Sequence, residues 1–242
     1  MTITVTGVIL ILLFSALLQA TIGFGSAVVA MPLLVMIIPV RLATPVVALT
    51  SVILNIAVVA ASWRQVDWRT VWRLVLCSLP GIPLGMMLLL YAPEVWVKAL
   101  LGIILVSFGI YQLLPLHLPH LENDRWIFPF AATSGVLGGA YNINVPPLLV
   151  YGALRRWRPD AFRTNLIGFF LPNGMLVALG HAAGGLWNPD VWKLVLLAAP
   201  GMLLAAWLGG RLNHRISPQA FTRLLPWITI ALGGLLLVSV LH

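Results

Sequence analysis

The chain has 242 residues, of which 61% are apolar and 8% charged, with a mean hydropathy of +1.03. That composition excludes a soluble domain built around one core and describes a polytopic membrane protein. The formal charge of +8 gives no case for nucleic acid as a partner, because the basic residues gather in short loops between apolar runs, as the positive-inside rule expects.

The first twenty residues, MTITVTGVILILLFSALLQA, match a signal peptide in hydrophobicity but lack its basic start. The apolar sequence continues past any cleavage point, so the segment reads as a retained helix. It runs into QATIGFGSAVVAMPLL (19–34), where Gly23, Gly25 and Pro32 interrupt an apolar stretch. Gly costs a helix about 1 kcal/mol and an interior Pro about 3, so the helix should break there. Three spans follow at about 43–61, 72–91 and 97–114, each near the roughly 20 apolar residues a crossing needs. The one cysteine, Cys77, lies inside a span, which precludes a disulfide framework or a thiolate metal cluster and reads as a small buried hydrophobe.

After the polar segment HLPHLENDR comes GVLGGAYNINVPPLLVYG (135–152), again interrupted, with glycines, Asn142, Asn144 and the pair Pro146–Pro147. Further spans are expected at about 163–180, 191–210 and 219–240. The second half repeats the first. VWRLVLCSLPG (71–81) returns as VWKLVLLAAPG (191–201), MPLLV (31–35) as PPLLV (146–150), and LNIAVVA (54–60) resembles PNGMLVA (172–178). The organisation expected is an N-terminal repeat over 1–115, a linker over 116–125 and a C-terminal repeat over 126–242.

Loop charge orients the spans. The 62–73, 155–163 and 211–223 loops are basic and belong inside, whereas 181–190 has no Lys or Arg and belongs outside. Since 62–73 and 181–193 are repeat equivalents, the halves point in opposite directions. Each interrupted region must then be a hairpin of two short helices. The fold expected is all-α, with two inverted repeats, each a broken hairpin plus three transmembrane helices, in eight to ten helical segments. Inverted repeats of this kind are a feature of secondary transporters, whose substrates bind near the midplane at the repeat interface. Arg41 is the one basic residue this scheme leaves outside near a hairpin.

Broken backbone at membrane depth persists only where protein or a water-filled cavity satisfies it. The exposed N–H groups at the start of a half-helix suit an anion. Tyr141, Asn142 and Asn144 in one hairpin, and Thr21 and Ser26 in the other, are candidate side-chain donors beside Gly23 and Gly25. Close helix packing is the competing role for each glycine. A glycine-rich turn followed by Pro-Leu-Leu at the start of each half resembles the TauE/SafE sulfite-exporter family, also grouped as the 4-toluenesulfonate uptake permeases. The resemblance covers essentially the whole chain and implies transport of sulfite, sulfoacetate, sulfonates or related anions across the bacterial inner membrane. In the second hairpin, Asn142, Asn144 and Val145 stand where members of that family commonly carry more glycines.

Asn55 and Asn173 hold equivalent positions in the two repeats, each within a span, where an amide either bonds another helix or faces substrate. Asn165, Thr50 and Ser51 are weaker candidates of the same kind. Arg163 is either an anion contact or an anchor reaching the headgroups, and His181 is a minor candidate as a proton acceptor. Tryptophans near run ends read as an interfacial belt. The acids Asp67, Glu94, Glu122, Asp124, Asp160 and Asp190 lie at or near loops, so a proton relay on a buried carboxylate is not visible.

An enzyme is not expected. The string GFGS at 23–26 offers a serine without a convincing base, and no cluster of acids marks a metal-dependent transferase. The expected activity is export of a small anion by alternating access. Uptake of another organic anion and a non-transporting membrane scaffold are the readings weighed against it. The expected partners are the anion, with or without a proton, and the bilayer. No cofactor or metal is expected, and a homodimer is one open option for assembly.

Overall fold

The computed structural model describes residues 2–22, 26–114, 119–212 and 218–241. All of its secondary structure among the described residues is helical, so each segment satisfies its own backbone, as lipid demands. Eleven α-helices follow one another among the described residues: α1 (Thr2–Ile22), α2 (Ser26–Val35), α3 (Val40–Ser62), α4 (Trp68–Ser78), α5 (Gly81–Tyr91), α6 (Glu94–Leu113), α7 (Ile127–Tyr141), α8 (Val145–Leu154), α9 (Pro159–Ala183), α10 (Pro189–Leu212) and α11 (Pro218–Leu241). Within α1, α3, α6, α9 and α10 lie stretches long and apolar enough to cross a membrane, and the bent pair of α4 and α5 makes a sixth. The chain is an all-α, multi-pass membrane protein.

The count exceeds the expected eight to ten because the span 72–91 divides at Leu79–Pro80, where α4 and α5 meet at 44°. Pro80 has no N–H to continue the ladder. The equivalent Pro200 nevertheless sits inside an unbroken α10, so proline alone does not decide the matter. What differs is the neighbour. A Cβ on Gly81 would lie 2.0 Å from the carbonyl oxygen of Ala132, and one on Gly85 2.1 Å from that of Val136. From the other side, a Cβ on Gly135 would lie 2.1 Å from Ser78 O, and one on Gly139 2.5 Å from Ile82 O. Two GxxxG faces therefore press backbone to backbone, and bending at Pro80 lays α5 against α7.

The other main packing pairs are α1 on α10, α6 on α11 and α3 on α9. At one end of the bundle, Asp124 bridges Arg73 at 3.0 Å and Arg155 at 2.8 Å. Leu121 N–H donates to Leu154 O (3.0 Å), and Asp67 N–H donates to Asn165 Oδ1 (3.3 Å). These contacts gather the loops before α4, before α7 and after α8, so α7 and α8 form a hairpin that enters and returns. Asp67 caps α4 by accepting from the Arg69 and Thr70 N–H groups and from the Thr70 hydroxyl. The Thr70 hydroxyl bond is the main cause holding this carboxyl below the usual range.

The opposite end joins the turn after α2 to the α5–α6 connection. Val40 N–H donates to Glu94 Oε1 (3.3 Å). Arg41 donates from Nε to Leu89 O (3.2 Å) and from Nη2 to Leu90 O (2.7 Å) and Ala92 O (3.4 Å). The isolated Arg41 thus spends its guanidinium on the free carbonyls ending α5. A Cβ on Gly7 would lie 3.7 Å from Ile37 Cδ1, which sets the first turns of α1 beside the turn after α2, so this hairpin also returns on itself.

Candidate functional site

Helix α7 stops at Asn142, whose φ of 56° and ψ of 22° are left-handed. Asn tolerates this conformation better than most residues. Its N–H caps Gly138 O at 2.8 Å and the Ile143 N–H reaches Leu137 O at 3.3 Å. Three residues after the break, α8 begins at Val145, with Asn144 as N-cap and Pro146 and Pro147 in its first turn. The first four N–H groups of a helix lack intrahelical partners. Here the prolines remove two of them and leave those of Asn144 and Val145. In the first hairpin α2 is described from Ser26, and Pro32 falls inside it instead of opening it.

The starts of α2 and α8 face a common cavity of about 40 Å³, lined by Gln19, Ser26, Ala27, Val28, Ser51, Asn55, Asn142, Ile143, Asn144, Val145, Phe170 and Gly174. Ser51 lies near the middle of α3, and Phe170 and Gly174 near the middle of α9, so the cavity sits deep between the two ends. Among the described residues, none of its lining side chains is charged. Its polarity comes from amides, hydroxyls and the positive ends of two helix dipoles.

Three separate sets of hydrogen bonds fix the amides. Gln19 Nε2 donates to Asn55 Oδ1 (2.6 Å), and the Ser26 hydroxyl donates to Gln19 Oε1. Asn142 Nδ2 donates to Ser51 Oγ (3.2 Å). Asn144 Nδ2 donates to Asn173 Oδ1 (2.7 Å), and Asn173 Nδ2 donates to Ser78 Oγ (2.8 Å). The Ser134 hydroxyl holds the backbone at the break by donating to Asn144 O (2.8 Å). Such an arrangement presents fixed, uncharged N–H and O–H donors in a space for a few water-sized groups. It suits a small oxyanion.

Of the residues expected at the site, Ser26, Asn55, Asn142 and Asn144 line the cavity together, joined by Ser51, one of the weaker candidates. Asn173 is fully buried one step behind, orienting Asn144. Gly23 and Gly25 lie outside the described residues. Tyr141 is not among the lining residues. Its side chain is fully buried and its hydroxyl donates to Val97 O on α6 at 2.9 Å. Thr21 turns back on its own helix, donating to Leu17 O and Leu18 O. Asn165 ties α9 to the loop before α4. Thr50 likewise back-bonds to Val46 O and Val47 O. His181 is fully buried, with Nε2 at 3.0 Å from Gly139 O on α7. Arg163 lies on a second, larger cavity of about 820 Å³. Gln19, which sequence reasoning passed over, is held between Asn55 and Ser26. Its one available signal was being the sole amide in the apolar stretch that forms α1.

Comparison with known proteins bears on what this site serves. The family model for the sulfite exporter TauE/SafE matches residues 8–236. The chain is 24% identical, over 226 residues, to a protein of Cupriavidus necator named as a probable sulfite/organosulfonate exporter TauE. The match spans 91% of this chain and 88% of that protein. No solved structure matches the chain.

Proposed function

The chain belongs to the sulfite exporter TauE/SafE family of membrane transporters, and from that premise we propose that it exports a small sulfur oxyanion, such as sulfite or sulfoacetate, by alternating access. The observation that carries the reading is the cavity shared by the starts of α2 and α8, with its uncharged donors. An anion held by helix N-termini and amides binds without the large desolvation cost of a buried ion pair. A cavity of about 40 Å³ favours sulfite over a bulky arenesulfonate. The substrate contacts are Ser26, Asn55, Asn142 and Asn144, with Gln19 and Ser51 beside them.

The reading includes two repeats, 1–115 and 126–242, of opposite orientation. Its support is that each hairpin returns on itself, with ends at opposite ends of the bundle. The packing pairs also exchange under the repeat: α1 on α10 answers α7 on α4 and α5, while α3–α9 and α6–α11 map onto themselves. The membrane is the bacterial inner membrane. The arginine-rich end, with Arg64, Arg69, Arg73, Arg125, Arg155, Arg156 and Arg158, is cytoplasmic by the positive-inside rule. Any proton that moves travels with the substrate and not on a buried acid.

Proteoliposomes containing the purified chain test the proposal. Labelled sulfite should cross them faster than toluenesulfonate and far faster than a dicarboxylate. Normal folding without flux of any anion would leave a scaffold as the better reading, and proton flux strictly dependent on one Asp or Glu would refute the substrate-borne proton.

A further inference from the structure

The larger cavity is lined by Arg163, Thr164 and Asp160 at the start of α9, by Gln65, by Arg211 at the end of α10, and by Gln19 of α1. Gln19 is therefore a wall of both cavities. We infer that the larger cavity is a cytoplasmic anion-loading station, in which Arg163 and Arg211 gather a small oxyanion before Gln19 passes it to the inner site. This inference rests on the export reading above.

Three features carry it. Charge comes first. Two arginines, Arg163 and Arg211, and one carboxylate, Asp160, line the cavity. Among the described residues neither arginine takes part in an ion pair. Arg211 is held at the wall by lying over the Trp207 ring at 3.8 Å, an arrangement that leaves its charge in place. A cleft with an excess of one sign raises the local concentration of the opposite ion.

Size comes second. At about 820 Å³ against about 40 Å³, the outer cavity admits an anion with its water, while the inner one admits only a small dehydrated group. Dehydration then occurs in passing from one to the other, where helix N-termini and amides replace the lost water. Continuity is the third. Both atoms of the Gln19 amide are bonded on the inner side, to Asn55 and Ser26. Rotating that one side chain breaks two bonds and joins the two spaces. The side on which the large cavity lies is the arginine-rich end, the side from which an exporter loads.

The test uses the full chain carrying Cys77→Ser with Thr164→Cys, or with Gln65→Cys as a second probe, in inside-out and right-side-out membrane vesicles. A membrane-impermeant thiol reagent should modify either cysteine from the cytoplasmic side alone. Saturating sulfite should slow that modification about fivefold beyond the slowing of a free cysteine peptide in the same mixture, which reports how much reagent the sulfite itself consumes. Adding Arg163→Gln and Arg211→Gln should raise the sulfite concentration needed for protection by about tenfold, and the difference should shrink in about 0.5 M salt. Modification from the periplasmic side, or protection unchanged by the double substitution, would overturn the inference. So would protection given by an anionic phospholipid headgroup and not by sulfite, which would make the cavity a lipid site. Sulfite flux is measured separately on the unmodified chain. Flux without protection overturns the loading station alone. Protection without flux overturns the export reading while supporting an anion site.

Discussion

Asn142 does two separable things, and substituting it twice separates them. Its backbone turns the chain at φ 56° and its Nδ2 donates to Ser51 Oγ at 3.2 Å inside the cavity. Asn142→Gly keeps the turn, because Gly enters the left-handed region without a Cβ penalty. It forfeits one neutral hydrogen bond, worth about 0.5–1.5 kcal/mol net, and relieves left-handed strain of comparable size. Stability should therefore stay within about 1 kcal/mol of the parent. Binding is a different matter. A hydrogen bond to a charged group contributes about 1.5–3 kcal/mol, so affinity for sulfite should fall roughly ten- to 150-fold. Asn142→Leu should lose the same affinity and also about 1–2 kcal/mol of stability from the strained turn. Thermal unfolding in detergent, with and without sulfite, reads both quantities on one sample. An Asn142→Gly protein that binds sulfite as the parent does would refute the placement of this amide at the site.

Further outcomes follow from the same geometry. In Gly138→Ala, the new Cβ would lie 2.5 Å from Asn144 Oδ1. Displacing Asn144 breaks its bond to Asn173, so sulfite binding measured calorimetrically should weaken by at least tenfold, equivalent to about 1.4 kcal/mol. Gly85→Ala drives a Cβ to 2.1 Å from Val136 O, whereas Gly234 has nothing within 4 Å. The first substitution should cost about 3 kcal/mol or more and lower the yield of folded protein on size-exclusion chromatography. The second should change stability by less than about 1 kcal/mol. Asp67→Ala should cost about 0.5–2 kcal/mol at neutral pH as a lost helix cap. Because the folded carboxyl lies below the ordinary Asp value of about 3.9, the stabilisation is present above that value. The gap between parent and variant should close as pH falls below it, which denaturation at two pH values checks.

The transmembrane character and the two breaks were legible because apolar runs and glycine–proline clusters act locally, and lipid leaves the backbone few alternatives. The division of α4 from α5 was not legible, since VWRLVLCSLPG and VWKLVLLAAPG look alike and only the first lies against the GxxxG face of α7. Four of the expected site residues and the weaker candidate Ser51 meet in one cavity, but Tyr141 and Thr21 do not, although they neighbour the breaks in sequence. The direction of a side chain near a break depends on how the chain turns. Asn142 turns left-handed just after Tyr141, whose hydroxyl is bonded to α6. Gln19 was missed for the opposite reason. A single amide in an apolar helix gives no pattern, and its partners Asn55 and Ser26 come from other segments.

The chain of bonds from Asn144 through Asn173 to Ser78 ends in a place that matters mechanically. Ser78 is the last residue of α4, and Pro80, two positions on, is the joint at which α4 and α5 bend by 44°. On the reading proposed above, a ligand seated against Asn144 would bear, through two side chains, on a corner of the scaffold that itself leans on the helix carrying the other half of the break. The cavity and the corner would then be the two ends of a lever. Occupancy at one end biases the angle at the other by no more than the ligand's difference in affinity between the two angles. Cutting the lever at Ser78→Ala would leave an anion bound and the corner indifferent to it.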